Sequence, residues 1–310
     1  MKGRIIRGVA GFYDVATDEG VIYRCRAKGT FRREGLKPLA GDLVDFEITH
    51  EGDKEGNVTT IHPRKNELLR PPVVNVDRVL LVFAAKDPDP SHYLINRFLV
   101  MTEQLELPVI LCFNKCDLVP ASVTDALCDM YARAGCVVRI VSAKENRGLD
   151  ILLDDLRGKT TAVAGPSGVG KSSLINALLA EEKTETGELS RKIARGKNTT
   201  RHSELFYLPE TLFGDRQTAE PSFIFDTPGF MSLKPEGIAP RDLHLYYPEF
   251  TSYEPACRYA GCTHISEPDC AVKEALAARE IHHARYEAYR LLYDELSGER
   301  PVYVKKIKQG

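Results

Sequence analysis

The stretch Gly165-Pro166-Ser167-Gly168-Val169-Gly170-Lys171-Ser172-Ser173 has the residue types and spacing of a phosphate-binding loop. Its glycines let successive backbone N–H groups turn toward an anion, and a helix beginning near Ser173 adds its positive end. On this reading Lys171 bridges the β- and γ-phosphates of a nucleotide and the Ser172 hydroxyl is a ligand of Mg²⁺. Asp226, at the head of Asp226-Thr227-Pro228-Gly229, would hold the same ion through water, and the Gly229 N–H would sense the γ-phosphate. Thr199 or Thr200 is the remaining switch threonine by position; of the two, Thr200 is assigned to Mg²⁺.

A phosphate loop does not choose the base. Asn114-Lys115-Cys116-Asp117 follows the apolar run Val109 to Phe113, at the strand end where open α/β sheets bind ligands. A carboxylate at Asp117 accepts from both N1–H and the 2-amino group of guanine, a pairing adenine lacks. A site built around such bonds rejects a base without them, because its polar partner is left buried and unpaired. Ser142-Ala143-Lys144, after the next strand-like run, supplies a second guanine-contacting loop. GTP and GDP with Mg²⁺ are therefore the expected ligands.

A third group has different chemistry. Cys257, Cys262, His264 and Cys270 form Cys-x4-Cys-x-His-x5-Cys, three thiols and one imidazole suited to one tetrahedral, structural Zn²⁺. The other cysteines, among them Cys112, Cys116, Cys128 and Cys136, lie in or beside apolar stretches and read as small hydrophobes, not disulfide partners.

The elements that must position these residues fall into three stretches. Residues 1–70 hold short β-like segments such as Val21 to Arg26 and Leu43 to Ile48, which predict an OB-like β-barrel; an SH3-like barrel would read almost the same. Residues 71–233 alternate apolar runs with helix-length amphipathic stretches, the pattern of βαβ units on a parallel sheet. Residues 234–310 hold the zinc set and a helical tail over 271–296, with Tyr286, Tyr289 and Tyr293 at helical spacing, read as core. The fold class is thus multi-domain: barrel, central α/β P-loop domain, and zinc-binding segment with helices.

With 43% hydrophobic and 28% charged residues the composition is that of a soluble globular protein. The net charge of −2 leaves nucleic-acid binding to local patches. Two exist: Arg24, Arg26, Lys28, Arg32, Arg33 and Lys37, and then Arg191, Lys192, Arg195, Lys197 and Arg201. No apolar run approaches the roughly 20 residues that cross a bilayer, and the N-terminus carries no secretory pattern. A cytoplasmic protein with no membrane contact is expected.

The order of the motifs narrows the reading. Asn114 and Ser142 precede Gly165, Thr199 and Asp226, the reverse of the ordinary GTPase order, so the domain is circularly permuted. Permutation preserves a site when the original termini lie close together. With a barrel ahead and Cys257-Arg258-Tyr259-Ala260-Gly261-Cys262-Thr263-His264 behind, nearly the whole chain resembles the ribosome small subunit-dependent GTPase A family. The resemblance implies GTP hydrolysis stimulated by the small ribosomal subunit, action late in that subunit's maturation, rRNA binding through barrel and zinc segment, and a monomer. It also implies a departure. Phe230 matches the family's apolar replacement for a water-positioning glutamine, and Asn198 stands where the family has a histidine before the threonines. An amide can hydrogen-bond water but cannot titrate as imidazole does. The catalytic set is therefore Lys171, Asn198, Thr199, Thr200 and Gly229, and a GTP-gated rRNA-binding module with negligible hydrolysis stays open beside the enzyme.

Overall fold

A computed structural model of the chain describes residues 1–17, 20–29, 31, 35–69, 72–180, 204–208, 210–213, 220–226, 235 and 237–298. These fall into two compact units. The first takes Met1–Pro88, Pro108–Pro120 and the described part of Arg139–Leu233, and the second takes Asp89–Leu107, Ala121–Val138 and the described part of Lys234–Gly310.

The first unit begins with five strands, β1 (Lys2–Val9), β2 (Phe12–Ala16), β3 (Ile22–Ala27), β4 (Leu43–His50) and β5 (Glu55–Ile61). They close into a barrel in the order β1-β2-β3-β5-β4, with β3 and β5 parallel. Side chains alternate across each strand, so Ile5, Val15, Tyr23, Cys25, Val44, Phe46 and Val58 fill the barrel. Arg24 and Arg26 point outward, and both guanidinium groups lie over Phe12, at 4.7 and 4.9 Å. Arg32, Arg33 and the run 191–201 lie outside the described residues.

A short hairpin, β6 (Glu67–Leu69) and β7 (Pro72–Val74), leads to β8 (Arg78–Ala84). β8 joins β9 (Val109–Asn114), β10 (Val137–Ile140), β11 (Thr160–Ala164), β12 (Glu204–Leu208) and β13 (Ser222–Asp226) in a sheet ordered β10-β9-β8-β11-β13-β12. The pairs β8–β9, β8–β11 and β11–β13 are parallel, and β12 is an antiparallel edge. Two-sided burial explains the unbroken apolar runs, since Val79 to Phe83 and the whole of β11 are shielded. Arg4 on β1 fastens barrel to sheet: its Nη1 donates to Thr160 Oγ1 at 2.6 Å and its guanidinium lies 4.5 Å over Phe223.

The second unit is helical: α1 (His92–Gln104), α2 (Ala121–Tyr131), α5 (Ala271–Ala277) and α6 (His283–Leu296), while α3 (Leu149–Leu156) and α4 (Lys171–Ala180) belong to the first unit. Its core stacks Tyr247 on Phe250 (5.2 Å) and sets Tyr289 edge-on to both. Inside it Arg285 makes a bidentate ion pair with Glu249 at 2.5 and 2.8 Å and donates to Asn96. The expected single tail helix is two helices, because α5 stops at Ala278: Arg279 takes φ +62°, Arg279 N–H bonds Leu276 O, and Glu280 N–H bonds Ala275 O. His282, given no role by the sequence, caps α6 by accepting from Ala284 N–H. No helix among the described residues is long and apolar enough to cross a membrane.

Candidate nucleotide site and metal centre

The phosphate loop leaves the buried end of β11 pressed against β8. A Cβ on Gly165 (φ +136°) would sit 2.0 Å from Val82 O, and one on Gly170 (φ +90°) would sit 2.5 Å from Asn114 Nδ2. Gly168 (φ +81°) faces nothing nearer than Pro88 Cδ at 4.0 Å. Gly165→Ala is therefore expected to cost about 2–4 kcal/mol by adding a backbone clash to strain, and Gly168→Ala only about 1 kcal/mol. Equal midpoints for the two variants in thermal unfolding would refute that ordering.

Lys171 opens α4 and donates to Gly165 O (2.9 Å) and Pro166 O (2.6 Å), so its ammonium lies within the loop. Burial pushes its pKa down, opposed by Asp226; burial pushes Asp226 up, opposed by Lys171. Asp226 ends β13 in register with Val163 of the loop's own strand. Ser167, Ser172 and Ser173 are exposed and Val169 is buried beneath the loop.

The base-reading motifs converge on this loop despite their place in the sequence. Buried Asn114 ends β9; its Nδ2 donates to Val169 O (3.0 Å) and its Oδ1 accepts from Ala143 N–H (3.0 Å). One carboxamide thus ties three motifs together. Lys115, at φ +61°, donates through Nζ to Gly168 O (2.7 Å) and to Asp87 O. Cys116 is buried, and its backbone N–H bonds Val141 O. Asp117 is half-buried, and the Ser142 hydroxyl donating to it at 2.6 Å holds its carboxyl below the usual range. Ser142 and Arg147 pair through two backbone bonds, closing the loop that carries Ala143 and Lys144, and Arg147 Nη2 reaches Cys116 Sγ at 3.1 Å. Asp87 and Arg147 carried no motif signal. Asn198, Thr199, Thr200 and Gly229, with Phe230, lie outside the described residues.

In the second unit the ligand atoms of Cys257, Cys262, His264 and Cys270 all lie within 4.8 Å of one another. His264 Nδ1 is 3.3 Å from Cys270 Sγ and 3.8 Å from Cys257 Sγ, and the two sulfurs are 4.0 Å apart. Tetrahedral zinc with ordinary bond lengths gives edges of about 3.5 Å for N···S and about 3.8 Å for S···S, so the set fits one Zn²⁺. Burial pushes the Cys262 thiol up to about 12; a divalent cation supplies the positive charge that would stabilise thiolates there. The loop from Thr263 to Cys270 is organised by Glu267. Burial raises this carboxyl, but donors from Thr263 N–H and Oγ1, Ile265 N–H and Ser266 N–H outweigh it and hold it at about 2. Tyr286 and Tyr289 pack in the core as expected, and their hydroxyls also fasten this loop by donating to His264 O (2.6 Å) and Thr263 O (2.5 Å).

Loops 114–117 and 142–144, ahead of the phosphate loop in sequence but joined to it in space, and following a closed barrel, give the arrangement of a circularly permuted GTPase. The family model for the RsgA GTPase matches residues 61–236, and that for the RsgA N-terminal domain matches residues 2–58. A small ribosomal subunit biogenesis GTPase RsgA of Agathobacter rectalis is 47% identical, over 97% of this chain and 99% of that protein; one of Alkaliphilus metalliredigens is 42% identical, over 96% and 99%. Among solved structures, YjeQ from Thermotoga maritima has TM-score 0.74 at 33% identity over 96% of this chain and 99% of that one. YloQ, described as a circularly permuted GTPase, has TM-score 0.71 at 33% identity over 97% and 96%. The chain belongs to the RsgA GTPase family.

Proposed function

We propose that this chain binds GTP with Mg²⁺, hydrolyses it to GDP and phosphate, and acts in biogenesis of the small ribosomal subunit, which stimulates the hydrolysis. The observation that carries the reading is the Asn114 carboxamide, which joins the guanine loops to the phosphate loop across the permuted order. In this reading Asp117 accepts from the guanine edge, with Ser142 holding its carboxylate in place. The backbone N–H groups of Gly165 and of residues 167–170 receive the phosphates, and the Lys171 ammonium exchanges its two carbonyl partners for phosphate oxygens. Ser172, Thr200 and Asp226 would hold Mg²⁺, directly or through water; the ion supplies charge neutralisation on the phosphates. Asn198, Thr199 and Gly229 would orient water and sense the γ-phosphate.

The working division of labour follows residues 1–70, 71–233 and 234–310, with the barrel's Arg24 and Arg26 and the zinc segment as rRNA contacts of a cytoplasmic monomer. A second reading, a GTP-gated rRNA binder with negligible turnover, is favoured by Asn198 and Phe230 alone. Phosphate release from GTP, alone and with purified small subunits, separates the two when an Asn198→His variant runs alongside. Strong stimulation of the natural sequence is the expected result. A flat response rescued by histidine would install the second reading.

A further inference from the structure

The imidazole of His264 has one nitrogen committed and one to account for. Nδ1 faces the thiols of Cys257 and Cys270, so its proton belongs on Nε2 when Nδ1 takes a metal. That Nε2 is shut off from solvent, makes no aligned hydrogen bond among the described residues, and stands 3.4 Å from Glu254 Oε1. The same Oε1 is 2.7 Å from His244 Nδ1. The two imidazoles meet edge to face at 5.4 Å, and Phe250 closes the other side at 5.7 Å, so the His264 ring has little freedom to turn. Glu254 also acts through its backbone: its carbonyl accepts from Cys257 N–H at 3.0 Å.

We infer that Glu254 is the outer positioning carboxylate of the zinc centre: its side chain orients His264 through Nε2–H, its carbonyl orients Cys257, and His244 holds the carboxylate in place. The inference rests on the zinc reading of the Cys3His set. A ligating histidine whose second nitrogen meets a carboxylate has its tautomer and ring angle fixed and its donor nitrogen made more basic, and such partners are worth about 10–100-fold in metal affinity. His244 lies on the turn Pro240–Tyr246 and Glu254 on the turn Glu254–Ala256, so metal retention depends on two segments that contribute no ligand through their side chains.

The test uses the full chain, purified with zinc, in wild-type, Glu254→Gln, Glu254→Ala and His244→Ala forms. Zinc content is counted, release to a chromophoric chelator is timed, affinity is measured by chelator competition, and the cobalt(II)-substituted spectrum is recorded. The wild type should hold one equivalent. Glu254→Ala should lose about 10–100-fold in affinity, Glu254→Gln less because its amide oxygen still accepts from Nε2–H, and His244→Ala less again. The cobalt bands should shift in the same order as the ligand field at His264 loosens. If Glu254→Ala folds poorly, the glutamine and His244 variants still carry the comparison. Wild-type affinity in Glu254→Ala and Glu254→Gln, or a lower unfolding midpoint in saturating zinc at unchanged affinity, would overturn the inference while leaving the zinc centre standing. Two equivalents in the wild type would overturn it too, because the trio His244, Glu254 and His264 would then be a second metal site. No zinc in the wild type would sink the underlying reading itself.

Discussion

Replacing Asp117 by asparagine is expected to exchange guanine for xanthine as the preferred base. The carboxylate is half-buried and accepts the Ser142 hydroxyl in a short contact, which an asparagine carbonyl can still accept, so the loop keeps its shape. What changes is the edge shown to the base. The asparagine NH₂ faces the guanine 2-amino group donor to donor, whereas the 2-oxo group of xanthine accepts from it. Losing the charge-assisted hydrogen bond from the 2-amino group, and weakening that from N1–H as the charge goes, at about 1.5–3 kcal/mol each, predicts a fall of about 10²–10⁴-fold in GDP affinity. Titrating GDP and XDP against both proteins checks this, and an unaltered GDP affinity in Asp117→Asn would remove this carboxylate from base recognition.

The second large effect concerns stability. Arg285 is 2% exposed, and Glu249 supplies both oxygens that balance its charge. Glu249→Ala leaves a guanidinium in an aromatic core with Asn96 and the faces of Tyr247, 4.7 Å away, and Tyr131, 5.8 Å away, as partners. Stranding a buried charge in this way costs about 3–5 kcal/mol, on the order of 10 °C in the unfolding midpoint. Removing both charges as Glu249→Met with Arg285→Met should recover most of that loss. The remainder, about 1–2 kcal/mol, is the penalty of Asn96 left without its donor. Differential scanning of the single and double variants measures both values, and a single variant within 1 kcal/mol of wild type contradicts the argument.

Motif spacing made the chemistry of the chain readable while leaving its supports dark. Gly165 to Ser172, Asn114 to Asp117, Ser142 to Lys144 and the four zinc ligands announce themselves because phosphate, guanine and zinc each constrain residues that are near neighbours in sequence. Their fasteners are distant pairs: Asn114 with Val169, Arg147 with Cys116, Glu254 with His264, Arg285 with Glu249. No periodicity encodes such a pair, since each half alone reads as an ordinary polar residue. The end of α5 was hidden for a different reason. Its closing residue at φ +62° is Arg279, not the glycine that usually marks the left-handed position, and Glu106 at φ +54° ends α1 in the same way. The barrel was legible because its short β-like segments are set apart by Gly, Asp and Pro clusters, and its closure shows in the pairing of β1 with β4.

The way Asn114 and Asp117 divide their duties also bears on how this lineage can change. A substitution at 114 removes a bond to the phosphate loop and a bond to the Ala143 loop in one step, so it disturbs the site as a whole and not the choice of base alone. Asp117, tied by its side chain to the Ser142 hydroxyl of one loop, is modular. A change of purine preference can therefore be reached through one codon while the architecture stays as it is. Three residues apart in the chain, the two positions answer for different things, one for the frame and one for the choice it makes.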